Sequence, residues 1–308
     1  MGIALGLGAA LSWGLADYFA AVASRRIGAL RVVLGFHLVA LIPLTALALA
    51  TDALAHVSVG EVAVLAGVGA VGWLSYLAFY GALAIGPISV LSPIVSGYAA
   101  VTALLAVGFA GSRLSALQSV AVAITIGGTM LASADVREIM RAKLQPRSVL
   151  GFVLALCAMC LLGAFVFGVS YYRQRIGWLG PIFLARGFAT VFLLGHVLVR
   201  GARVTPPGAA AGAAAGEHGA EPAAVQPSSR APVVAIIALL ALVDTGGYVC
   251  FNLGVGHAPT AIVAAASAPY ALVPIAMGVW LFRERPTRAQ WLGVACVLVG
   301  VIVLGAVT

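Results

Sequence analysis

Charged side chains are scarce in this sequence, and their scarcity excludes an ordinary soluble protein. Asp, Glu, Lys and Arg make up 8% of the 308 residues, whereas soluble domains carry about 25%. Apolar side chains make up 63% and fall into ten runs of roughly 20 residues, the length that crosses a hydrocarbon core about 30 Å thick. We therefore expect an all-α integral membrane protein with ten transmembrane helices, surrounded by the lipids of the inner cell membrane. The predicted spans are residues 2–23, 32–50, 62–83, 88–110, 116–134, 149–170, 178–199, 233–254, 260–282 and 289–307.

The sequence also lacks the patterns of an enzyme, a metal centre or a nucleic-acid-binding protein. Cys157 and Cys160 have C-x-x-C spacing but no second pair of ligands, and we interpret all four cysteines as small buried apolar residues. No nucleophile–base pair and no phosphate-binding glycine loop is present, so we predict no catalytic residue, cofactor or metal. The net charge of +8 comes from basic residues in short loops, where they meet lipid headgroups, and predicts no nucleic-acid partner.

Two links between the predicted spans are long. Residues 135–148 form a basic connector, and residues 205–232 are rich in Ala, Gly, Pro, Ser and Glu without an aromatic residue or a periodicity. The second segment cannot bury enough apolar surface to offset the entropy of ordering it, so we expect a disordered loop. The chain then divides into a five-helix unit at residues 1–134 and a second at residues 149–308.

The two five-helix units resemble each other in sequence. Residues 76–133 match residues 248–305 at a constant shift of 172, and a weaker match at a shift of 149 aligns the earlier spans. The first shift pairs Tyr76 with Tyr248, Phe79 with Phe251, Pro87 with Pro259, Tyr98 with Tyr270, Arg113 with Arg285, Gln118 with Gln290 and Gly128 with Gly300. The second shift pairs Gly14 with Gly163, Gly28 with Gly177 and His37 with Arg186. Apolar bias does not explain paired Tyr, Pro, Arg and Gln in one ungapped register, so we predict an internal repeat.

An odd number of spans in each unit has a consequence for orientation. The second unit must enter the membrane upside down relative to the first, as in many secondary carriers, whose substrate binds near the midplane between the inverted units. The sequence therefore favours a carrier that works by alternating access. A membrane scaffold or accessory subunit without transport activity is the alternative.

Several short motifs resemble those of the EamA-type drug/metabolite transporters. These motifs are Ser12-Trp13-Gly14, Gly86-Pro87 and Phe282-Arg283-Glu284-Arg285-Pro286-Thr287, followed by Gln290 and Gly293. The resemblance covers nearly the whole chain outside residues 205–232. It implies a permease or exporter of small solutes, with a central cavity lined largely by the third, fourth, eighth and ninth helices. The first half departs from the pattern, because Gly111-Ser112-Arg113 stands where the second half has Arg283-Glu284-Arg285.

Ionisable residues inside the predicted spans are candidates for a binding site, because each costs about 2.5–3.5 kcal/mol to place in a membrane. These residues are Asp17, His37, Arg186, His196 and Asp244. Asp244 is followed by Tyr248 and Asn252 at i+4 and i+8, which predicts a polar stripe. Asp244 could contact a substrate amine, exchange a proton or pair with Arg186. Asp17 could face a cavity, cap local packing or lie near the membrane interface.

Aromatic residues on the third span form a second stripe. Trp73, Tyr76 and Tyr80 recur at i, i+3 and i+7, and the repeat places Tyr76 and Tyr80 opposite Tyr248 and Asn252. This placement favours a cavity wall. Side-chain packing would explain the same pattern, as would an interfacial aromatic belt in the case of Trp73.

The fourth and ninth spans combine Pro and Ser with aromatic residues. Proline permits a kink, and small residues allow helices to approach closely. We predict Ser96, Tyr98 and Tyr270 at the edge of the cavity, with plain packing as the alternative. The carboxylates of Asp17 and Asp244 favour a small cationic or zwitterionic substrate, such as an amino acid or an amine, moved by proton exchange or by facilitated flux, while Arg186 leaves an anion as the alternative. The sequence does not indicate an oligomeric state.

Basic residues also predict which side of the membrane each loop faces. Loops after odd-numbered spans hold 13 Lys and Arg residues, and loops after even-numbered spans hold three. The positive-inside rule then places both termini outside the cytoplasm, whereas the family resemblance implies both termini inside. With the native cysteines replaced, a single cysteine introduced within residues 205–232 tests the charge rule. We expect an impermeant thiol reagent to label it only after the cells are permeabilised; labelling of intact cells would support the orientation that the resemblance implies.

Overall fold

The chain folds into helices and turns. The computed structural model describes residues 1–85, 94–111, 113–133, 146–200, 230–273, 276 and 287–307, and these residues contain no strand. The main helices of the described residues are α1 (Gly2–Ile27), α2 (Ala29–Ala50), α3 (Val59–Ile85), α4 (Tyr98–Phe109), α5 (Ala116–Ser133), α6 (Pro146–Tyr171), α7 (Leu179–Arg200), α8 (Arg230–Val255), α9 (Thr260–Ser267) and α10 (Arg288–Ala306). A single turn, Arg173–Ile176, lies between α6 and α7, and a 3₁₀ turn, Ala268–Ala271, follows α9.

Six of the described helices are long and apolar enough to cross a membrane. These helices are α1, α2, α3, α6, α7 and α8; the apolar stretches around α4, α5, α9 and α10 are shorter within the described residues. The predicted class, an all-α multi-pass membrane protein, is confirmed, while the number of ten spans stays a prediction.

The structure describes only a small part of the two predicted links. Residues 134–145 and 201–229, which hold most of the basic connector and of the predicted disordered loop, lie outside the described residues, as do the Gly86-Pro87 turn and residues 282–286. The helices that follow the links begin three residues earlier than predicted, α6 at Pro146 and α8 at Arg230. Pro146 and Pro232 fall in the first turns of these helices, where the missing N–H of proline removes no helical hydrogen bond.

The outer surface of the bundle is apolar, as the lipid environment requires. Leu104 is 73% exposed and Leu242 is 66% exposed, a pattern that would cause aggregation in water but that lipid chains solvate. Cys157 and Cys160 correct an expectation, because both are exposed on α6 rather than buried. A thiol behaves as a small apolar group, so a lipid-facing position suits it as well as a core position.

Helix α9 lies in the interior of the bundle. All eight of its residues, Thr260–Ser267, are buried, and it packs against α1, α4, α5 and α8. Four of the eight are alanines, whose small side chains let neighbouring helices approach closely. This placement brings the 3₁₀ turn after α9, with Tyr270, into the centre of the molecule.

Packing between the two halves has approximate two-fold symmetry. The repeat relates each helix of the first half to the helix five positions later. Helix α1 packs against α8 while α3 packs against α6, and these are equivalent contacts under that relation. Helices α2, α4 and α5 each pack against their own equivalents, α7, α9 and α10. The two-repeat architecture predicted from the self-match is therefore confirmed.

Local backbone structure recurs at both sequence shifts of the repeat, 172 and 149 residues. At the start of α5, the Ser115 N–H donates to Gln118 Oε1 and the Gln118 N–H donates to Ser115 Oγ. The start of α10 has the same reciprocal cap between Thr287 and Gln290, 172 residues later. Glycines at the equivalent α1–α2 and α6–α7 junctions, Gly28 and Gly177, both have positive φ, at 87° and 76°. These two positions are 149 residues apart, and glycine adopts this conformation with little steric strain.

Two glycines of the repeat sit where helices nearly touch. A Cβ at Gly14 would lie 2.4 Å from Val273 Cβ, and a Cβ at Gly163 would lie 2.5 Å from Val101 Cβ. Gly14 and Gly163 are equivalent at a shift of 149, and Val101 and Val273 at a shift of 172, so one close contact is built twice. These glycines set the separation of α1 from the end of α9 and of α6 from α4.

We predict that Gly14→Ala and Gly163→Ala each destabilise the protein, by about 1–3 kcal/mol, because the added methyl group overpacks a helix contact. Gly187→Ala is the matched control, since a Cβ at Gly187 would meet no atom within 4 Å and alanine favours a helix by up to about 1 kcal/mol. Thermal unfolding of the purified proteins in detergent measures the effect. Unchanged unfolding temperatures for both repeat variants would contradict the prediction.

Candidate functional site

A cavity opens in the centre of the bundle, between the two repeats. It contains about 620 Å³ of space when its opening to the outside is included. The lining residues are Trp13, Ala16, Asp17, Ser75, Tyr76, Phe79, Val95, Tyr98, Ala158, Leu162, Val166, Asp244, Tyr248 and Tyr270. Helices α3, α4 and α8 and the turn after α9 contribute, as the family resemblance implies, and the structure adds α1 and α6.

Aromatic rings form much of the cavity wall. Trp13 packs edge-on against Tyr98, with ring centroids 6.1 Å apart, and against Tyr248 at 5.1 Å. Tyr98 in turn lies 5.7 Å from its repeat equivalent, Tyr270. Edge-to-face contacts of this kind add to the burial energy and hold the rings in defined orientations. The wall is therefore a preformed aromatic surface contributed by both repeats.

Tyr98 is also fixed by a hydrogen bond across the repeat boundary. Its hydroxyl lies 3.2 Å from Ser267 Oγ, and Ser267 Oγ lies 2.9 Å from the carbonyl oxygen of Ala264. A serine hydroxyl has one proton, which the carbonyl accepts, so the Tyr98 hydroxyl donates to Ser267 Oγ. This bond ties α4 to α9 at the cavity wall.

A buried ion pair lies beside the cavity. Arg186 on α7 donates from Nη2 to Asp244 Oδ2 on α8 and from Nη1 to Thr245 Oγ1 at 3.0 Å. Its guanidinium carbon lies 5.1 Å from the Tyr248 ring centroid and 5.9 Å from the Phe36 ring centroid. Arg186 is 2% exposed. Of the roles that the sequence left open for Asp244, pairing with Arg186 is the one that the structure shows, although Asp244 also lines the cavity.

His37 and Tyr76 continue this polar cluster into the first repeat. His37 Nδ1 lies 2.9 Å from the carbonyl oxygen of Val33, so this nitrogen carries a proton, and the imidazole ring packs edge-on against Tyr76 at 4.8 Å. Tyr76 and Tyr248 both line the cavity, and each is close enough to Arg186 to interact with its charge. The paired tyrosines Tyr76 and Tyr248 thus meet at the boundary between the repeats, as the self-match predicts.

Asp17 brings a second carboxylate to the cavity. It lies on α1, four residues after Trp13, and it lines the cavity together with Tyr98 and Tyr270. No described Lys, Arg or His places a nitrogen within 4.0 Å of this carboxylate, and it has no hydrogen bond to a described residue. Asp17 thus presents its charge to the cavity without a positively charged partner among the described side chains.

Most of the predicted site residues meet at this cavity. Those that line it are Asp17, Tyr76, Tyr98, Asp244, Tyr248 and Tyr270. Trp73, Ser96 and Asn252 do not line it, and the side chain of Tyr80 lies outside the described residues. Helix α3, which packs against α6 and α7, carries Tyr76 to the cavity, and the close packing of α1 against α8 brings Asp17 to the same space.

Trp73 corrects the prediction for α3. Three helical residues leave it about 60° around the helix from Tyr76. On that face its ring packs against α7, 6.0 Å from Phe192 and 5.9 Å from His196. Trp73 therefore serves packing between α3 and α7 rather than the cavity wall.

Ser96 and Asn252 correct the predictions for α4 and α8. Asn252 is eight residues from Asp244, which rotates it about 80° away, and its amide donates to the Tyr248 carbonyl oxygen at 3.0 Å. Ser96 is two residues from Tyr98, and such neighbours point to opposite sides of a helical turn. Both side chains are almost fully buried, at 1% exposed, and neither lines the cavity.

Several lining residues carried no predictive signal in the sequence. Trp13 stood out only as part of a family motif, although its position four residues before Asp17 places both on one helical face. Ala16, Ala158 and Val166 are indistinguishable in sequence from lipid-facing residues, because membrane helices are apolar on both sides.

The fold and the cavity by themselves define a class of protein. A multi-pass helical membrane protein with two related halves around a central cavity has the architecture of many secondary carriers. The family model of the EamA-like transporter family matches residues 1–134 and 149–306, and the chain belongs to this family. Members of this family are membrane transporters, so the chain has a transporter role at the level of the family.

One solved structure supports the fold independently. A crystal structure of a protein with 13% sequence identity has a TM-score of 0.71, covering 99% of this chain and 98% of the other. At this identity the likeness shows the fold alone. No curated protein matches the chain in sequence.

We predict that Asp244→Asn destabilises the protein by about 3–5 kcal/mol, because it leaves the Arg186 charge buried without a carboxylate. Adding Arg186→Gln to the same chain removes the unpaired charge and should recover part of the loss. Asp52→Asn is the control, since Asp52 is exposed in the α2–α3 link and asparagine suits its positive φ of 48°. Thermal unfolding in detergent compares the four proteins. An Asp244→Asn protein as stable as the parent would contradict a structural role for the ion pair.

Proposed function

We propose that the protein is a secondary carrier of a small cationic or zwitterionic solute, such as an amine or an amino acid. In this proposal ten membrane spans form two inverted five-helix units in the inner cell membrane, and the central cavity is exposed to each side in turn. The observation that carries the proposal is the Asp17 carboxylate, which lines an aromatic cavity and has no positively charged partner among the described side chains.

Electrostatics favour a positively charged substrate group beside Asp17. Two opposite charges about 4 Å apart attract each other by roughly 4 kcal/mol at an effective dielectric constant of 20. The aromatic rings of Trp13, Tyr98 and Tyr270 add about 0.5–2 kcal/mol for each favourable cation–π contact. Because Arg186 already neutralises Asp244, the positive charge that Asp17 lacks is left for the substrate to supply.

The cavity also supports a carrier over a scaffold. A solid apolar core where the two repeats meet would favour a scaffold without transport activity. Here Tyr76, Tyr248 and Asp244 line an open space at that boundary. The two-fold packing supports alternating access, since exchanging the conformations of two equivalent halves exposes the same cavity to the opposite side.

Proton exchange follows from the same carboxylate. In this proposal the Asp17 carboxylate binds either the substrate cation or a proton. One of the two must leave before the other can bind. The two ligands then cross the membrane in opposite directions, so a proton gradient drives the cation against its own gradient. In facilitated flux, which the sequence also allowed, the rate does not respond to such a gradient.

The decisive measurement is uptake into proteoliposomes that are more acidic inside than outside. Phenyltrimethylammonium is a suitable probe because a quaternary cation does not accumulate passively as a weak base does. We expect the parent protein to concentrate the probe, and Asp17→Asn to lower the initial rate at least tenfold because the site loses its charge. Radiolabelled probe retained on filters reports the rate.

Three comparisons make this test specific. Asp52→Asn should transport like the parent protein, and vesicles without protein should not. Gel filtration of each purified variant shows whether it is folded. Equal uptake by folded Asp17→Asn and by the parent would overturn the role of Asp17, and no uptake above empty vesicles for any amine or amino acid would overturn the carrier proposal.

A further inference from the structure

We infer that the cavity selects organic cations with a single positive charge and rejects solutes that also carry a carboxylate. This inference rests on the proposed function and narrows it, because it excludes the zwitterions that the sequence left open. It follows from which charged and hydrogen-bonding groups of the cavity are free to meet a ligand and which already have partners.

Arg186 is the natural partner for a substrate carboxylate, and it is already occupied. Its Nη2 donates to Asp244 and its Nη1 to Thr245. The rings of Phe36 and Tyr248 lie over the guanidinium, which is 2% exposed and does not line the cavity. A carboxylate would have to displace Asp244 to reach it.

The other polar groups of the described lining offer only uncharged donors. Ser75 Oγ donates to the Gly72 carbonyl oxygen at 2.7 Å, and Tyr98 donates to Ser267. Trp13 Nε1 is buried against α8, where a Cβ at Gly247 would lie 2.4 Å from it. No Lys, Arg or His is among the described lining residues. A bound carboxylate would therefore lose its water without gaining a charged donor, which is strongly unfavourable in an apolar site.

The charge balance of the cavity points to the same class of ligand. Arg186 and Asp244 neutralise each other, so ionised Asp17 leaves one negative charge among the described lining residues and their partners. One positive charge on the ligand restores neutrality. A zwitterion adds no net charge, and its own carboxylate lies in the same apolar space as Asp17, where like charges repel strongly.

The aromatic wall complements such a cation. Asp17 lines the same space as Trp13, Tyr98 and Tyr270, and the rings hold each other through edge contacts. Aromatic faces attract ammonium groups and accept flat or apolar substituents, but they do not replace the water around a carboxylate. The ligand that fits is an amine or a quaternary ammonium with an apolar or aromatic body.

Three compounds that share one skeleton test the inference. Phenethylamine has the amine alone, phenylalanine adds a carboxylate, and phenylalanine methyl ester keeps the bulk of that group without its charge. Isothermal titration calorimetry of the full-length protein in detergent gives each affinity, without any need for transport. We expect phenethylamine and the methyl ester to bind at least tenfold more tightly than phenylalanine.

Variants of Asp17 tie the result to this site. Asp17→Asn should weaken phenethylamine binding at least tenfold, Asp17→Glu should retain most of it, and Asp52→Asn should leave it unchanged. Phenylalanine binding as tight as phenethylamine, no binding of either amine, or unchanged binding in folded Asp17→Asn would overturn the inference.

The outcome separates this inference from the carrier proposal. Binding of the amines without transport in proteoliposomes would leave the selectivity standing and remove the carrier. Transport of phenylalanine at the rate of the quaternary cation, dependent on Asp17, would keep the carrier and remove the selectivity.

Discussion

Arg186 places a positive charge inside a largely apolar bundle, and the arrangement of the cavity depends on how that charge is neutralised. Asp244 supplies the opposite charge from the neighbouring helix, and Thr245 takes a second donor of the guanidinium. An unpaired charge at this depth would cost several kcal/mol, so α7 and α8 are held in the register that keeps the pair together. The pair in turn fixes Tyr248, whose ring lies over the guanidinium.

The pair belongs to one repeat, and this breaks the symmetry of the molecule. In the first repeat His37 stands in place of Arg186, and Gly72 stands in place of Asp244, at the two shifts of the self-match. Asp17 is likewise matched by Val166 in the second repeat. The backbone contacts, the caps and the close glycines follow the two-fold relation, whereas the charged residues do not. Duplication therefore explains the scaffold, and the later divergence of a few residues explains the chemistry of the cavity.

The helix positions, the internal repeat and some cavity residues could be predicted from the sequence, each for a different physical reason. Helix positions follow from apolar run length, and the repeat follows from residues with special geometry, such as Gly28 and Gly177, which keep their conformation in both copies. Tyr76 and Tyr248 were found because they pair in the internal repeat, where apolar bias does not explain two matching tyrosines. Ala16 and Val166 could not be found, because in a membrane protein apolar character does not distinguish the cavity from the lipid side.

Errors in the candidate site came from extending a helical stripe too far. A stripe at i and i+4 shifts by about 40°, and at i+8 by about 80°, so Asn252 leaves the cavity face that Asp244 and Tyr248 share. Trp73 is only three residues from Tyr76, and it leaves the cavity wall because its ring packs against Phe192 and His196 on α7. The pairing of Asp244 with Arg186 was among the alternatives, but choosing it required knowing that α7 and α8 bring these residues together, which is a tertiary fact.

Symmetry of the scaffold and asymmetry of the charges have separate consequences for a carrier. Under alternating access, the contact of α1 with α8 and the equivalent contact of α3 with α6 must loosen in turn. Because the two contacts are equivalent, the state open to one side of the membrane and the state open to the other are close in free energy. A ligand that binds one state modestly more tightly can then shift the population. A neutralised ion pair next to the cavity changes that balance little, since it stays within one repeat. Asp17 lies on α1, which packs against helices of the other repeat, so a charge at this position acts across the boundary between the repeats.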